Sequence, residues 1–487
     1  MESNIQTPDT SGILLAKKIH TSEEVTAESI KQAYNEWNAQ CVRYRKLKRY
    51  YLGVQTLPGV EHPVVSNLCY YIVNAFKGYL VGNPPAYENA PDDPKAQEIT
   101  ELYHKQNKAQ VEADIVQDQS TYGSAVELVY LSDDPSPVPK STVLSPMDAF
   151  VAYAGDVEED SVFGAVRYKE KISDKQSIYK LYVYTRTDVQ LWTSNSESGD
   201  WTMQGEPIPH GFGRVPLIEY VNNKERMGDF EQVISLQDAY NRLLTDRIDD
   251  KDAFVKSILI ITGNVIGKSD KEVEESVKNI QKNRVMQFDD ADGNASYLEK
   301  SMDEAGVQVL QDQLKNDLHK LAMIPDLSDE QFASNASGVA MAYKLFGTDQ
   351  KVAEKVAQLQ KGYTRRCKLY DYALHNPMRA ENTDTGTQIE DMRIVFKLNA
   401  PQDLSYMATS LTMLTSAGII SKQTSRAQLA IVTDVERETQ LVKDEQNEQA
   451  DLNRQAFEDD FTSQAEEDEA ELRRKKKNED EAEDDEE

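Results

Sequence analysis

The chain has 487 residues, 54 Lys+Arg against 84 Asp+Glu, a formal net charge of −30 and 39% hydrophobic residues. At about 150 residues per domain this length predicts some three domains, and the composition is too apolar for wholesale disorder. The acidic balance argues against tight, salt-driven nucleic-acid binding, which needs clustered Lys and Arg, and no run reaches the ~18 apolar residues of a membrane span, so no membrane partner is expected.

Residues 1–20 are polar and read as loose. Met1-Glu2-Ser3-Asn4 does not open a charged-then-apolar leader. Thr21-Ser22-Glu23-Glu24 reads as a helix start, with Ser22 as cap and acids in the first turn. That helix continues through the Arg-, Lys- and Tyr-rich stretch Cys41–Tyr51. Val65–Leu80 predicts a second helix, stopped by Gly82-Asn83-Pro84-Pro85, because proline cannot supply the helical hydrogen bond. Helical spacing returns over Asp92–Val116. Cys41, Cys69 and Cys367 lie too far apart for a disulfide framework and form no CxxC, which predicts reduced thiols and an intracellular setting.

From Gly123 the period changes. Ala125–Tyr130, Val162–Tyr168, Tyr179–Tyr184 and Gln190–Thr193 are short β-rich runs, and Arg214–Tyr220 closes a mostly antiparallel region over 123–221. Helix follows over Phe230–Val255, then a short apolar strand at Ser257–Thr262 and a charged helix at Lys271–Lys282. Arg284–Phe288 and Ala295–Leu298 read as a hairpin around Asp289–Asn294. A long helix runs from Ser301 to Met323, with Val309, Leu310, Leu314, Leu318 and Leu321 on one broad face, and stops at Pro325. Val339–Leu374 is helical with an interruption near Gly347, Arg393–Leu398 is a strand, and Leu404–Glu448 is helical with a break at Gly418. Residues 458–487 hold 16 acidic and 5 basic residues, a net of −11. Such a tail repels itself and is expected to be disordered or at most a solvated helix.

The motifs that tempt a chemical reading fail on spacing. Gly263-Asn264-Val265-Ile266-Gly267-Lys268-Ser269 has three residues between its glycines where a phosphate-binding loop needs four. Asp290, Asp292, Gly293 and Glu299 match part of a calcium loop, but Phe288 occupies its first ligand position. The six histidines show no metal spacing, and His319 reads as a packing or interface residue. No catalytic residue, metal or cofactor is therefore expected, and a chain of this size without a chemical site points to a structural or assembly role.

Three ordered segments carry a resemblance. Asn74-Ala75-Phe76-Lys77-Gly78-Tyr79-Leu80-Val81-Gly82-Asn83-Pro84 comes first. Leu236-Gln237-Asp238-Ala239-Tyr240-Asn241 with Phe254 follows. Ile324–Glu330 with Ser337-Gly338-Val339-Ala340-Met341-Ala342-Tyr343-Lys344-Leu345 is the third. Together they resemble the portal proteins of tailed bacteriophages, in the siphophage branch of Gram-positive hosts, over about residues 30–450.

The resemblance implies an α+β fold with a mixed α/β wing, long stem helices, a small α/β clip and a helical crown. It implies a flexible N-terminus at 1–24, wing at 25–228, stem helices at 229–256 and 300–325, and clip at 257–299. Residues 326–376 would hold a tunnel loop and a long channel-facing helix, 377–402 a wing strand region, 403–456 the crown, and 457–487 lie outside as an acidic tail. The implied role is a non-enzymatic ring of identical subunits, typically twelve, at one vertex of the virion capsid, assembled in the host cytoplasm. Double-stranded DNA would pass through it, without sequence reading, during packaging and ejection. Implied partners are the terminase large subunit, major capsid and scaffold proteins, and a head-completion adaptor. The alternative reading is another phage structural or scaffold protein without a DNA channel.

Within that frame, charge selects two sets of residues. Of two candidate bends, Asp326–Gly338 is acidic and Phe346–Lys351 is flanked by lysines, so Lys344, Phe346, Gly347, Thr348, Gln350 and Lys351 are expected to face DNA. The polar clip residues Glu272, Glu274, Glu275, Asp290 and Asp292 are expected to dock the terminase and connector.

Overall fold

The computed structural model describes residues 17–88, 94–173, 176–197, 200–255, 258–262, 269, 271–272, 274–275, 278, 282, 294–298, 304–326, 338–375, 392–399, 404–429, 432, 435, 437–455, 470 and 472–473. The chain divides into two compact units, Met1–Ala400 and Pro401–Glu487.

The first unit is an α+β body. Helix α1 (Ala27–Leu52) is closed at its start by a reciprocal capping box between Thr26 and Ser29. This corrects the expected cap at Ser22, because the chain before it is already committed to strand β1 (Ile19–Thr21). β1 also overturns the expectation that all of residues 1–20 are loose. It runs parallel to β5 (Ala149–Ala154), pairing Ile19 with Ala152.

The largest sheet continues antiparallel from β5 through β6 (Ser161–Ser173), β7 (Gln176–Tyr184), β8 (Asp188–Ser194) and β9 (Thr202–Pro209). A second sheet sets β10 (Leu217–Val221) against β3 (Ser124–Leu131), and β3 against β4 (Pro139–Leu144). Strands β4, β5 and β9 escaped the sequence reading. β5 is buried along its whole length, so it carries no polar alternation to find.

α1 covers the large sheet with a stripe of big side chains. Trp37 stacks on Phe150 at 5.1 Å and donates its indole N–H to the Pro146 carbonyl at 2.8 Å. The other side of the core is formed by α2 (Leu68–Val81), α3 (Pro94–Lys105) and α4 (Lys108–Tyr122). The single helix expected over 92–116 is split because Asn107 adopts a left-handed conformation (φ 51°).

Helix α5 (Ile234–Val255), after a short 3-10 turn at Glu231–Val233, leads to β11 (Ile258–Thr262). β11 pairs antiparallel with β12 (Asn294–Leu298). The expected hairpin arm 284–288 lies outside the described residues. Helix α6 (Glu304–Ala322) returns alongside α5. Helix α7 (Gly338–His375) then runs 38 residues without a break. Finally β13 (Arg393–Val395) pairs with β2 (Ala86–Glu88), bringing the end of this unit back to the stop after α2.

The second unit contains α8 (Leu404–Ser416) and α9 (Lys422–Gln428), separated at Gly418 as expected, and residues 437–455 are helical. Of the acidic tail only positions 470, 472 and 473 are described, and they are helical.

Candidate functional site

α5 and α6 pack as a pair held by one arginine. Arg247 donates to Gln308 Oε1 at 2.9 Å, to Gln311 Oε1 at 2.7 Å and to Glu304 Oε2 at 3.0 Å, and Lys251 pairs with the same Glu304. The pair is polar at its seam and leaves apolar groups outside. Of the five residues expected on one buried face, only Leu318 is buried. Val309 is 66% exposed, and Leu310 and Leu321 are about half exposed.

α6 ends in a reversal. Met323 takes φ 57°, and Ile324 N–H reaches back to the His319 carbonyl at 3.1 Å. Buried His319 donates from Nδ1 to the Ile324 carbonyl at 3.1 Å and meets the edge of Tyr71, whose hydroxyl donates to the Pro325 carbonyl. Burial pulls its imidazole below the usual range. His319 is thus the packing residue that its setting between Leu318 and Leu321 predicts.

The N-terminal part of α7 lies against this reversal. Thr348 is buried and donates from Oγ1 to the Met323 carbonyl at 2.8 Å. Lys351 donates to the carbonyls of Ala322 (3.3 Å) and Asp229 (3.2 Å) and lies 3.4 Å from the Asp229 carboxylate. One turn on, fully buried Lys355 is held by Asp229 Oδ2 (2.6 Å), Asn222 Oδ1 (2.7 Å) and Ser120 Oγ (2.8 Å). Both ammonium groups sit over the Phe76 ring, at 4.8 and 5.4 Å.

Burial alone would raise the Asp229 pKa, but Lys355, Lys351 and the Asn222 amide reverse this and hold it well below the usual carboxylate range. Burial pulls Lys355 down while Asp229 opposes that. The pair therefore stands as carboxylate and ammonium, because each desolvated charge has its partner and hydrogen bonds.

Further along α7, Arg366 is fully buried. It donates to Glu127 Oε2 at 2.9 Å, to Tyr87 Oη at 3.2 Å and to Glu112 at 3.4 Å, while Tyr220 donates to the same Glu127 oxygen. α7 is thus pinned to α4 and β3 by charged groups.

This geometry corrects the expected bend over Phe346–Lys351. The segment is helix, and Gly347 costs a helix only about 1 kcal/mol, which the Thr348 and Lys351 contacts offset. The six expected DNA-facing residues divide. Thr348 and Lys351 turn into the subunit, and Gly347 lies beside Met323. Lys344, Phe346 and Gln350 are exposed with Tyr343, at 61% for Phe346 and 80% for Tyr343. Of the other candidate bend, residues 327–337 lie outside the described residues.

Between β11 and β12, Glu272, Glu274 and Glu275 are exposed helical positions, and Lys278 pairs with Glu274 at 2.8 Å. Asp290 and Asp292 lie outside the described residues, as do residues 263–268 and Phe288, Gly293 and Glu299 of the rejected calcium loop. Among the described residues no three His, Cys, Asp or Glu side chains are grouped to hold a metal, no helix is long and apolar enough to cross a membrane, and all three cysteines are buried free thiols.

The buried set Asp229, Lys355, Arg366, Glu127 and Glu112 was missed in the sequence. Its signal was present: Lys351, Lys355 and Arg366 recur on the same helical face as Leu359, Tyr363 and Tyr370. Charges inside an apolar stripe imply buried counter-charges.

A profile of the family described as "Phage portal protein, SPP1 Gp6-like" matches residues 30–452. The chain is similar to the portal protein of Bacillus phage SPP1, 24% identical over 322 residues. That match covers 63% of this chain and 61% of the relative, so it spans less than two thirds of that protein's length. Among solved structures, the chain resembles one from the neck of a native gene transfer agent particle computed with C12 symmetry, at 10% identity and a TM-score of 0.48, covering 80% of this chain and 93% of that one. It also resembles one from the neck of an empty particle computed with C6 symmetry, at 10% identity and a TM-score of 0.47, covering 79% and 92%.

Proposed function

The chain belongs to the SPP1 Gp6-like phage portal protein family, and on that premise we propose that identical copies close into a ring, most simply of twelve, around a channel for double-stranded DNA at one capsid vertex. The observation that carries this reading is the apolar surface left on the stem. Val309, Leu310 and Leu321 on α6 are exposed in a single chain. Apolar groups of this size on a polar helix pair point to a partner surface. A head-to-tail contact between copies repeats until the rotation closes.

The wing would be 25–228 with the strand at 393–395, the stem 229–256 and 300–325, the clip 257–299 and the crown 403–456. Division of the chain at Ala400/Pro401 and the pairing of β13 with β2 support the last boundaries. In this reading the portal is not an enzyme. The terminase large subunit and the head-completion adaptor dock in turn on the clip, and capsid and scaffold proteins hold the ring, which is assembled in the host cytoplasm. Lys344, Phe346 and Gln350 are the channel-facing members of the predicted set. An acidic subunit suits passage rather than retention, since a polyanion is not held there by counterion release.

Native mass measurement and electron microscopy of the purified chain test the proposal. Closed rings with an axial hole are expected. A Val309→Glu, Leu310→Glu variant should remain folded and fail to close. Monomers only, at capsid-like salt and high concentration, would overturn the reading.

A further inference from the structure

A cluster of positive charge lies outside the residues assigned above to ring contact and channel. Asp160, Ser161, Arg186, Arg214, Val215, Lys361, Thr364, Arg365 and Lys368 line a pocket of about 220 Å³. Five cations thus surround one carboxylate in a chain of net charge −30. The pocket is smaller than the roughly 300–1,000 Å³ of drug-sized ligand sites, and its lining is not apolar.

Four separate segments build it. Lys361, Arg365 and Lys368 stand at i, i+4 and i+7 on α7, which places them on one face. Arg186 comes from the turn between β7 and β8, and Asp160 and Ser161 from the start of β6. Arg214 is delivered by a turn at Gly213, whose φ is +62° and where a Cβ would stand 2.5 Å from the Tyr372 ring. Only glycine lets that turn press against α7 and bring Arg214 beside Arg365.

The cations are under-neutralised. Asp160, the single carboxylate, lies 4.0 Å from Arg186 and also acts at longer range on Arg365. Arg365 donates from Nη2 to the neutral Ser161 hydroxyl, while its Nε is out of contact with solvent and has no hydrogen-bond partner. Among the described residues Arg214 and Lys368 make no hydrogen bond or ion pair. Burial pulls Arg365 below the usual guanidinium range. A bound anion would supply the missing acceptor and offset that cost.

We propose that this pocket is an oxyanion site for phosphate-class ligands, with the guanidinium forks of Arg365 and Arg214 as binding groups and Lys361, Lys368 and Arg186 as the surrounding charge. A phosphodiester of duplex DNA and free inorganic phosphate share the chemistry. Guanidinium groups fit both through paired N–H donors. The site does not depend on ring closure, so its test and that of the ring are separate.

The experiment uses the full chain and an Arg214→Gln, Lys361→Gln, Lys368→Gln variant, with assembly state followed in parallel. A random-sequence short duplex is titrated by fluorescence anisotropy at several salt concentrations, and inorganic phosphate by calorimetry. Duplex affinity should fall about tenfold or more, and the salt slope should shrink by about 0.9 for each phosphate that is no longer neutralised. If only phosphate binding falls, the ligand is free phosphate and the oxyanion site stands. Lys140→Gln, on β4, should change neither. Arg186→Gln, an exposed turn residue, repeats the test at smaller amplitude if the triple variant does not fold. Unchanged binding of both probes overturns the proposal. So does loss of ring closure with both affinities intact, which would make the pocket a contact for a neighbouring copy.

Discussion

Gly362 on α7 faces Tyr220 on β10 so closely that a Cβ at position 362 would stand 2.2 Å from the ring. The helix therefore rests directly on the sheet at this point, one turn from the Arg366–Glu127 pair. Gly362→Ala should force the Tyr220 ring away from Glu127 and destabilise the subunit by about 1–3 kcal/mol, the usual cost of overpacking. Gly347 is the control on the same helix. A Cβ there meets only Met323 Cβ at 3.9 Å, an ordinary contact. Gly347→Ala should be neutral or stabilising by up to ~1 kcal/mol. Urea unfolding midpoints of the two variants read the contrast. Equal destabilisation would contradict it.

The Asp229–Lys355 pair makes stability depend on pH with a definite sign. Asp229 is depressed in the folded chain, so its contribution is present above its ordinary value of 3.8 and is lost as pH falls below it. Asp229→Ala should cost about 3–5 kcal/mol at neutral pH, because it strands a buried ammonium. Asp229→Leu combined with Lys355→Met should cost much less. Between pH 7 and pH 4 the parent and the double variant should respond alike, and below pH 3.8 the parent's unfolding midpoint should fall more steeply than the double variant's.

Lys344 and Lys351 separate by function. Lys344→Glu should slow DNA packaging and lower the melting temperature less than Lys351→Glu does. Lys351→Glu should lower the melting temperature, since it places a carboxylate 3.4 Å from where Asp229 now meets an ammonium. A packaging assay and a melt on each variant decide the matter. Equal melts for both would remove the assignment of Lys351 as an anchor.

The clip acids test docking. Reversal of Glu272, Glu274 and Glu275 to lysine alters exposed helical positions, so ring formation should be intact while packaging falls. Normal packaging by assembled rings of this variant would exclude a docking role for this helix.

What escaped the sequence reading shares a physical cause. The β5 strand is buried on both faces and shows no alternation. The bend expected at Gly347 is a helix because side-chain contacts from Thr348 and Lys351 to the chain around Met323 outweigh glycine's modest penalty. The pocket cations, spread over 182 positions from Arg186 to Lys368, share no local motif.

Local rules and motif order alone determined most helices and most strands, the stop at Gly82–Pro85, the break at Gly418, the free cysteines and the family. Each depends on periodicity, backbone chemistry or short ordered segments that neighbours in sequence supply. Only the tertiary structure decided which charges are buried and which are left for a partner. Lys351 and Lys355 look in sequence like any lysines on a helix. Asp229, more than a hundred residues earlier, turns them inward, because a desolvated ammonium is stable only where a carboxylate and hydrogen-bond acceptors are already in place.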